Sequence, residues 1–203
     1  HTACRRQRQM CIRDRNLIGL AGIAEDTFAP PGRAAKSRAL WLSINLLTAF
    51  IAAATINLFQ TTIDKFVYLA VLMPIVASMG GVAATQTLTI VIRGLSLEQI
   101  KSSNLNWLFK RELIVSILNG IFLSILISIV TYFWFQELLI SILICAAIVI
   151  NLISSVIAGI FVPIILNKLN QDPAIAGSVV VTTVTDVIGF FSFLGLATIF
   201  LVN

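Results

Sequence analysis

The sequence predicts an all-α integral membrane protein, and three observations carry that prediction. Of its 203 residues, 58% are hydrophobic and only 11% are charged. The mean hydropathy is +0.98, and a soluble domain of this size does not bury so much apolar surface. The apolar residues fall into five runs, each close to the roughly 20 residues that a helix needs to cross the hydrocarbon core.

The first fifteen residues, HTACRRQRQMCIRDR, differ from the rest of the chain. They carry five arginines and one aspartate, and without them the formal net charge falls from +5 to +1. The segment from Met10 to Arg15 can be encoded by a string that resembles a transposase adaptor used in sequencing libraries. We therefore expect residues 1–15 to be a sequencing-adaptor artefact, which has no part in the fold. The alternative is a natural basic arm beside the membrane.

Setting this segment aside also removes the single histidine and two of the three cysteines. Cys145 remains alone in an apolar run, so the sequence predicts neither a disulfide framework nor a Cys/His metal cluster.

Residues 16–38 are polar and are interrupted by Pro30-Pro31-Gly32. This pattern predicts a short helix followed by a cytosolic connector, with the membrane domain occupying residues 39–203. Arg33, Lys36 and Arg38 stand just before the first apolar run. Such a basic cluster is typical of the cytosolic side of a membrane helix.

Five membrane spans follow the connector. Their expected bounds are Trp41–Phe59, Phe66–Ile92, Leu113–Trp134, Leu138–Leu166 and Ser178–Val202. The connections over residues 60–65 and 136–137 are short, whereas the basic residues gather in those over 93–111 and 167–177. These basic connections lie on the same side as the N-terminus, which predicts an N-inside, C-outside orientation.

Small or weakly polar residues recur every fourth position in several spans, and such stripes are typical of helix–helix contact in membranes. The stripes are Asn45, Ala49, Ala53 and Asn57 in the first span, Ser116, Gly120, Ser124 and Ser128 in the third, and Ala147, Asn151, Ser155, Gly159 and Pro163 in the fourth. A lone five-helix monomer does not easily supply enough neighbours for all of them, so we expect a homodimer.

The fifth span carries one carboxylate, Asp186. Ser178, Thr182 and Thr183 precede it by eight, four and three residues, which places all four on or beside one helix face. A charge at this depth costs roughly 2.5–3.5 kcal/mol on insertion scales. Asp186 is therefore a candidate functional residue, and a structural, hydrogen-bonded aspartate is the alternative.

The second span combines a proline with a pair of glycines. Pro74 frees a backbone acceptor, and the glycines in Met79-Gly80-Gly81 permit close approach. Ala77, Gly81, Thr85 and Thr89 form its small-residue stripe. Backbone oxygens facing one aspartate suit a hydrated divalent cation such as Mg²⁺, although a plain helix kink explains the pattern equally well.

Four stretches together resemble the MgtE family of Mg²⁺ channels and transporters, over essentially residues 38–203. They are RALWLSINLLTA from Arg38, MPIVASMGGVAATQTLTIVIRG from Met73, DPA from Asp172 and TTVTDVIGF from Thr182. The resemblance implies homodimers of five-helix protomers with a cation pore at the dimer interface.

The resemblance also assigns candidate metal-binding residues. Asp186 matches the pore aspartate that binds hydrated Mg²⁺, and Gly81 and Thr85 match positions whose backbone carbonyls line the site. Thr182 lies one turn before the aspartate, and Gly80 is counted with the same candidate site. The family's Gly-Gly-Asn-x-Gly-x-Gln pattern has Val82 and Ala84 here in place of its Asn and second Gly, which leaves the choice between Mg²⁺, Co²⁺ and other divalent cations open.

Members of the family usually continue upstream into a cytosolic domain and a paired CBS module. Residues 20–26 are similar to the tail of that region, so we expect the upstream part to be missing from this sequence. The resulting expectation is a multi-pass protein of the inner (plasma) membrane that passes Mg²⁺. Its partners would be a second copy, the lipid bilayer and the ion, and not nucleic acid.

Three other functions are alternatives. An intramembrane aspartyl protease needs two carboxylates in one site, and the spans offer one, so we do not expect an enzyme. A proton-coupled transporter of another solute would use a lone aspartate as a relay, but it usually shows an inverted repeat that this sequence lacks. A membrane scaffold without transport leaves Asp186 unexplained.

Overall fold

The structure, a computed structural model, describes residues 31–100, 104–169 and 173–202. Within these ranges all regular secondary structure is helical, and five helices are long and apolar enough to cross a membrane. This confirms the predicted helical membrane class and the number of spans. The expectations for residues 1–30 lie outside the described residues.

Six α-helices and one terminal turn make up the described fold. They are α1 Pro31–Asn57, α2 Gln60–Lys65, α3 Tyr68–Ser96, α4 Leu105–Phe135, α5 Leu138–Lys168, α6 Pro173–Ala197 and a π-helical turn Thr198–Val202. The last span, Ala176–Val202, includes the π-helical turn. The α3 helix continues without interruption through Pro74.

Two stretches expected to be irregular are helical. Residues 31–38, expected to belong to a connector, form the first turns of α1, and Pro31 suits a first helical position because its missing N–H has no helical partner there. The predicted connection over residues 60–65 is the short helix α2. The hydroxyl of its buried Thr62 lies 2.8 Å from that of Thr198, which ties α2 to the π-helical turn that follows α6.

The α5 helix is the centre of the fold. It packs against α3, α4 and α6, and α3 also packs against α6. Ile144 and Ile148 of α5 are fully buried with Leu69 of α3 and Phe193 of α6 in the largest apolar cluster. The first helix, α1, packs mainly against α6, so it lies at the edge of the bundle.

The α4 and α5 helices form an antiparallel pair joined by Gln136 and Glu137. Gln136 has φ 58° and its N–H donates to the carbonyl of Tyr132 at 2.9 Å, a left-handed helix end. Along the pair, the hydroxyl of Ser116 donates to the carbonyl of Leu152 at 2.9 Å. These contacts confirm that the small-residue stripe of the third span is a packing face.

The other two packing stripes have opposite outcomes. All five members of the α5 stripe are buried, as predicted. All four members of the α1 stripe are exposed, and among the α1 side chains that the structure describes the buried ones are Ala52 and Thr55. Within one chain the α1 stripe does not form the contact with α6, because the side of α1 that meets α6 carries Ala52 and Thr55. That the stripe packs against a helix of a second copy stays a prediction.

Candidate functional site

An open groove of about 520 Å³ lies between α3 and α6. Among the described residues that line it, one side chain is charged, that of Asp186 in α6. Thr182 of α6 accompanies it. The opposite wall is one face of α3, formed by Ala77, Ser78, Gly81, Val82, Thr85, Gln86 and Thr89. The small-residue stripe of the second span thus lines a cavity.

Three threonine hydroxyl groups of the groove, those of Thr85, Thr89 and Thr182, are held by their own helices. Thr85 donates to the carbonyl of Gly81, Thr89 to that of Thr85, and Thr182 to that of Ser178, each at 2.8 Å. A hydroxyl has a single hydrogen to donate and two lone pairs. Because each hydrogen is bound to a carbonyl, these side chains can offer only oxygen lone pairs to a guest in the groove.

The structure brings four of the five predicted metal-site residues together. Asp186, Thr182, Gly81 and Thr85 all line the groove. Gly80 lies elsewhere: it is buried, and its carbonyl lies 2.8 Å from the hydroxyl of Ser155, which shares its single hydrogen between this carbonyl and that of Asn151 at 2.7 Å. Gly80 therefore belongs to the contact between α3 and α5 and not to the groove lining.

Behind the groove, α5 is attached to the backbone of α3 by two parallel hydrogen bonds. The side-chain amide of Asn151 donates to the carbonyl of Val76 at 2.8 Å, one turn away from the bond between Ser155 and Gly80. Donors and acceptors are both four residues apart, so the two bonds follow the same helical repeat.

The side chain of Asn151 fills the space where α3, α5 and α6 meet. A Cβ atom at Gly80 would overlap its amide nitrogen, and one at Gly189 of α6 would lie 2.7 Å from the same atom. Gly189 is three residues after Asp186, so Asn151 packs against α6 close to the position of the Asp186 carboxylate. Its Oδ1 is buried and has no hydrogen-bond partner in the described part of the chain.

Sequence reasoning missed Ser78 and Gln86 of the groove wall and the packing of Asn151 against α6. Ser78, Val82 and Gln86 repeat every four residues beside the stripe that was noted, so the wall could have been extended by one row. Asn151 was assigned to a packing stripe, and its contacts with two further helices could not be inferred from spacing alone.

The oxygens of the groove suit a cation that keeps its water. Among the described residues there is no cluster of three or more His, Cys, Asp or Glu side chains, so the groove does not resemble a zinc site. One carboxylate with hydroxyl oxygens nearby matches the way Mg²⁺ is held, through one or two carboxylates while several waters remain bound.

Residues 73–196 match the sequence profile of the MgtE family, which is described as a divalent cation transporter. This chain belongs to the MgtE family. The match covers the groove walls and Asp186 and confirms the resemblance. Because the family consists of transporters and not enzymes, it also confirms the expectation that the chain is not an enzyme. With its five apolar helices, this MgtE chain is a multi-pass membrane protein.

Relatives of this MgtE chain include three proteins named magnesium transporter MgtE. The protein from Bacillus subtilis is 36% identical over 168 residues, which is 83% of this chain and 37% of the relative. The Enterococcus faecalis protein is 28% identical over 90% of this chain and 41% of its own length. The Thermus thermophilus protein is 25% identical over 93% of this chain and 42% of its own length. The chain thus spans about two fifths of each relative.

Proposed function

We propose that this chain conducts divalent cations, principally Mg²⁺, across the membrane, and that Asp186 binds the hydrated ion on the way. The observation that carries the proposal is the position of Asp186, whose side chain lines an open groove in a membrane-spanning helix bundle. The names of the relatives, each a magnesium transporter, support the choice of ion.

The charge of Asp186 explains why the groove would select a cation. A carboxylate within a membrane span is costly unless it has a partner or a function, and no hydrogen bond or ion pair to a described residue occupies its oxygens. A divalent cation would supply that partner. The volume of the groove leaves room for waters beside the carboxylate, as a Mg²⁺ ion that dehydrates reluctantly requires.

A homodimer would close the groove. The groove is bounded by α6 on one side and α3 on the other, and it is open between them. A second copy related by a two-fold axis would cover the opening and complete a pore with two Asp186 carboxylates. The exposed stripe of α1 and the exposed Val82 at the groove give further surface for such a contact. In the predicted orientation, the ion would move inward down its electrochemical gradient.

The test is Mg²⁺ flux into proteoliposomes containing the wild-type chain or the Asp186→Asn variant. Asparagine keeps the size and hydrogen-bonding capacity of the side chain but removes its charge, so we expect the variant to lose most of the flux. The matched control is Asp64→Asn, which removes an exposed carboxylate from α2 outside the groove and should leave the flux unchanged.

Three outcomes would contradict the proposal. Wild-type flux in the Asp186→Asn variant would show that the carboxylate is structural. Equal losses in the Asp186→Asn and Asp64→Asn variants would show that the flux follows the overall charge and not the groove. A requirement for a proton gradient, with no dependence on the Mg²⁺ gradient, would favour a proton-coupled transporter.

A further inference from the structure

A second cavity, of about 400 Å³, lies where α3 ends and α4 begins. It shares no lining residue with the Asp186 groove. Arg93 and Arg111 are the charged residues among its described lining residues, and they stand beside the apolar side chains of Ile90 and Trp107 and the amide of Gln99. The wall of the cavity is therefore basic at Arg93 and Arg111 and apolar at Ile90 and Trp107.

Both arginines have N–H groups to offer. Arg93 is exposed, and its guanidinium makes no hydrogen bond or ion pair with any described residue. Arg111 is half-exposed and donates to the buried carboxylate of Glu112 at 3.1 Å. A guanidinium carries five N–H donors in a planar fork that matches the oxygens of a phosphate, so Arg111 keeps donors for a second partner.

The cavity lies at the end of two membrane-spanning helices, where lipid head groups are found. Arg93 is in the last turn of α3, and the side chain of Trp107, in the first turn of α4, is 68% exposed. Tryptophan is enriched at the membrane–water interface. Ile90, nearly one turn deeper in α3, is 41% exposed, so an acyl chain could lie against it while a head group reached the arginines.

Hydrogen bonds connect the described residues Gly94, Gln99, Ile100 and Asn104 beside this cavity. The N–H groups of Gln99 and Ile100 donate to the carbonyl of Gly94 at 2.9 and 3.3 Å, and the side-chain amide of Asn104 donates to the carbonyl of Gln99 at 2.7 Å. A Cβ at Gly94 would lie 2.7 Å from Ile100. These contacts place Gln99, Ile100 and Asn104 together at the cavity wall.

We propose that this cavity binds an anionic phospholipid, with its phosphate between Arg93 and Arg111 and an acyl chain along Ile90 and Trp107. Basic pockets between membrane helices are suited to anionic head groups. A lipid fits better than free phosphate because the apolar part of the wall would otherwise face water. The proposal does not depend on the cation pathway, since neither arginine lines the Asp186 groove.

The test uses the fluorescence of Trp107 as a local probe. Trp41 and Trp134 are replaced by Phe, and the full chain is reconstituted into phosphatidylcholine vesicles that contain a minor fraction of brominated phosphatidylglycerol. We expect Trp107 to be quenched more by brominated phosphatidylglycerol than by the same fraction of brominated phosphatidylcholine. Arg93→Gln should weaken this preference about five-fold, the contribution of one basic residue near a membrane surface.

Two further variants separate the binding site from general surface charge and from misfolding. Arg111→Gln would leave the buried Glu112 without its cation, so Arg111→Lys is used: it keeps the charge beside Glu112 but loses the fork, and it should also weaken the preference. Lys110→Gln removes an exposed charge that is adjacent in sequence but does not line the cavity, and it should have little effect.

The proposal fails if Trp107 is quenched equally by both brominated lipids, or if Lys110→Gln weakens the preference as much as Arg93→Gln. Inorganic phosphate and sodium chloride are added in parallel at the same ionic strength, because salt alone screens exposed charges. Displacement of the lipid by phosphate but not by chloride would identify free phosphate as the occupant and overturn the lipid assignment.

Discussion

The side-chain amide of Asn151 donates a hydrogen bond of 2.8 Å to the backbone carbonyl of Val76. This bond joins the central helix α5 to the rear face of α3, while the front face of α3 lines the groove of Asp186. The geometry of the groove therefore depends on a residue that does not line it.

Replacing Asn151 by alanine should destabilise the protein by about 1 kcal/mol, since hydrogen bonds between membrane helices average roughly 0.6 kcal/mol and reach about 1.7. Asn119→Ala is the matched control, because Asn119 lies on the exposed face of α4. Thermal unfolding in detergent measures both variants. Equal changes for the two variants would mean that the bond between Asn151 and Val76 contributes nothing.

Gly80→Ala should be more disruptive than Gly81→Ala, although the two glycines are adjacent. A Cβ at Gly80 would overlap the side chain of Asn151, whereas one at Gly81 would have its nearest neighbour, Cγ2 of Thr182, at 3.9 Å. We expect overpacking to cost Gly80→Ala about 1–3 kcal/mol, measured by the same unfolding assay. Gly81→Ala should fold normally.

A double variant locates the cause of that cost. If the overlap with Asn151 is responsible, Gly80→Ala combined with Asn151→Ala should be less destabilised than the sum of the two single variants. Strict additivity of the two effects would place the cost elsewhere.

The sequence predicted the helices and several of their faces, but not what each face meets. Ala49 in α1, Gly81 in α3 and Ser155 in α5 belong to stripes of the same spacing, yet Ala49 is exposed, Gly81 lines a groove and Ser155 is buried. Spacing fixes the side of a helix on which residues lie. It does not fix the neighbour, because that depends on how all the helices pack together.

The candidate site was predicted from a different signal, the cost of a charge in the membrane. That argument, with the family resemblance, led to Asp186, Thr182, Gly81 and Thr85, which lie together in the structure. It did not separate Gly80 from Gly81, because adjacent residues of a helix point about 100° apart and only the position of α5 decides which of them is covered.

The proposed dimer predicts where cross-links form. In a background with all three cysteines of the chain replaced by serine, Val82→Cys at the groove should link two copies, while Phe122→Cys on α4 should not. Both side chains are exposed in one chain, Val82 by 55% and Phe122 by 67%, so exposure alone does not distinguish them. Cross-linking in membranes, analysed by non-reducing gel electrophoresis, provides the measurement. Links through Phe122→Cys alone would place the contact on the wrong face.

Mg²⁺ should stabilise the wild-type chain against thermal unfolding and should not stabilise Asp186→Asn. A ligand that binds only the folded state adds about 2.7 kcal/mol when its concentration is roughly 100 times its Kd. Without Mg²⁺, the variant should be at least as stable as the wild type, because it no longer holds a charge within the membrane. An equal shift with Mg²⁺ in both proteins would show that the ion binds elsewhere.

The two bonds behind the groove end on main-chain carbonyls, those of Val76 and Gly80, and every residue type carries such a carbonyl. The two bonds that attach α3 to α5 therefore do not depend on which side chains occupy positions 78, 82 and 86. Ser78, Val82 and Gln86 line the groove on the other side of α3. These three positions can be randomised together in a library, and ion preference could be selected from it without rebuilding the scaffold that presents them.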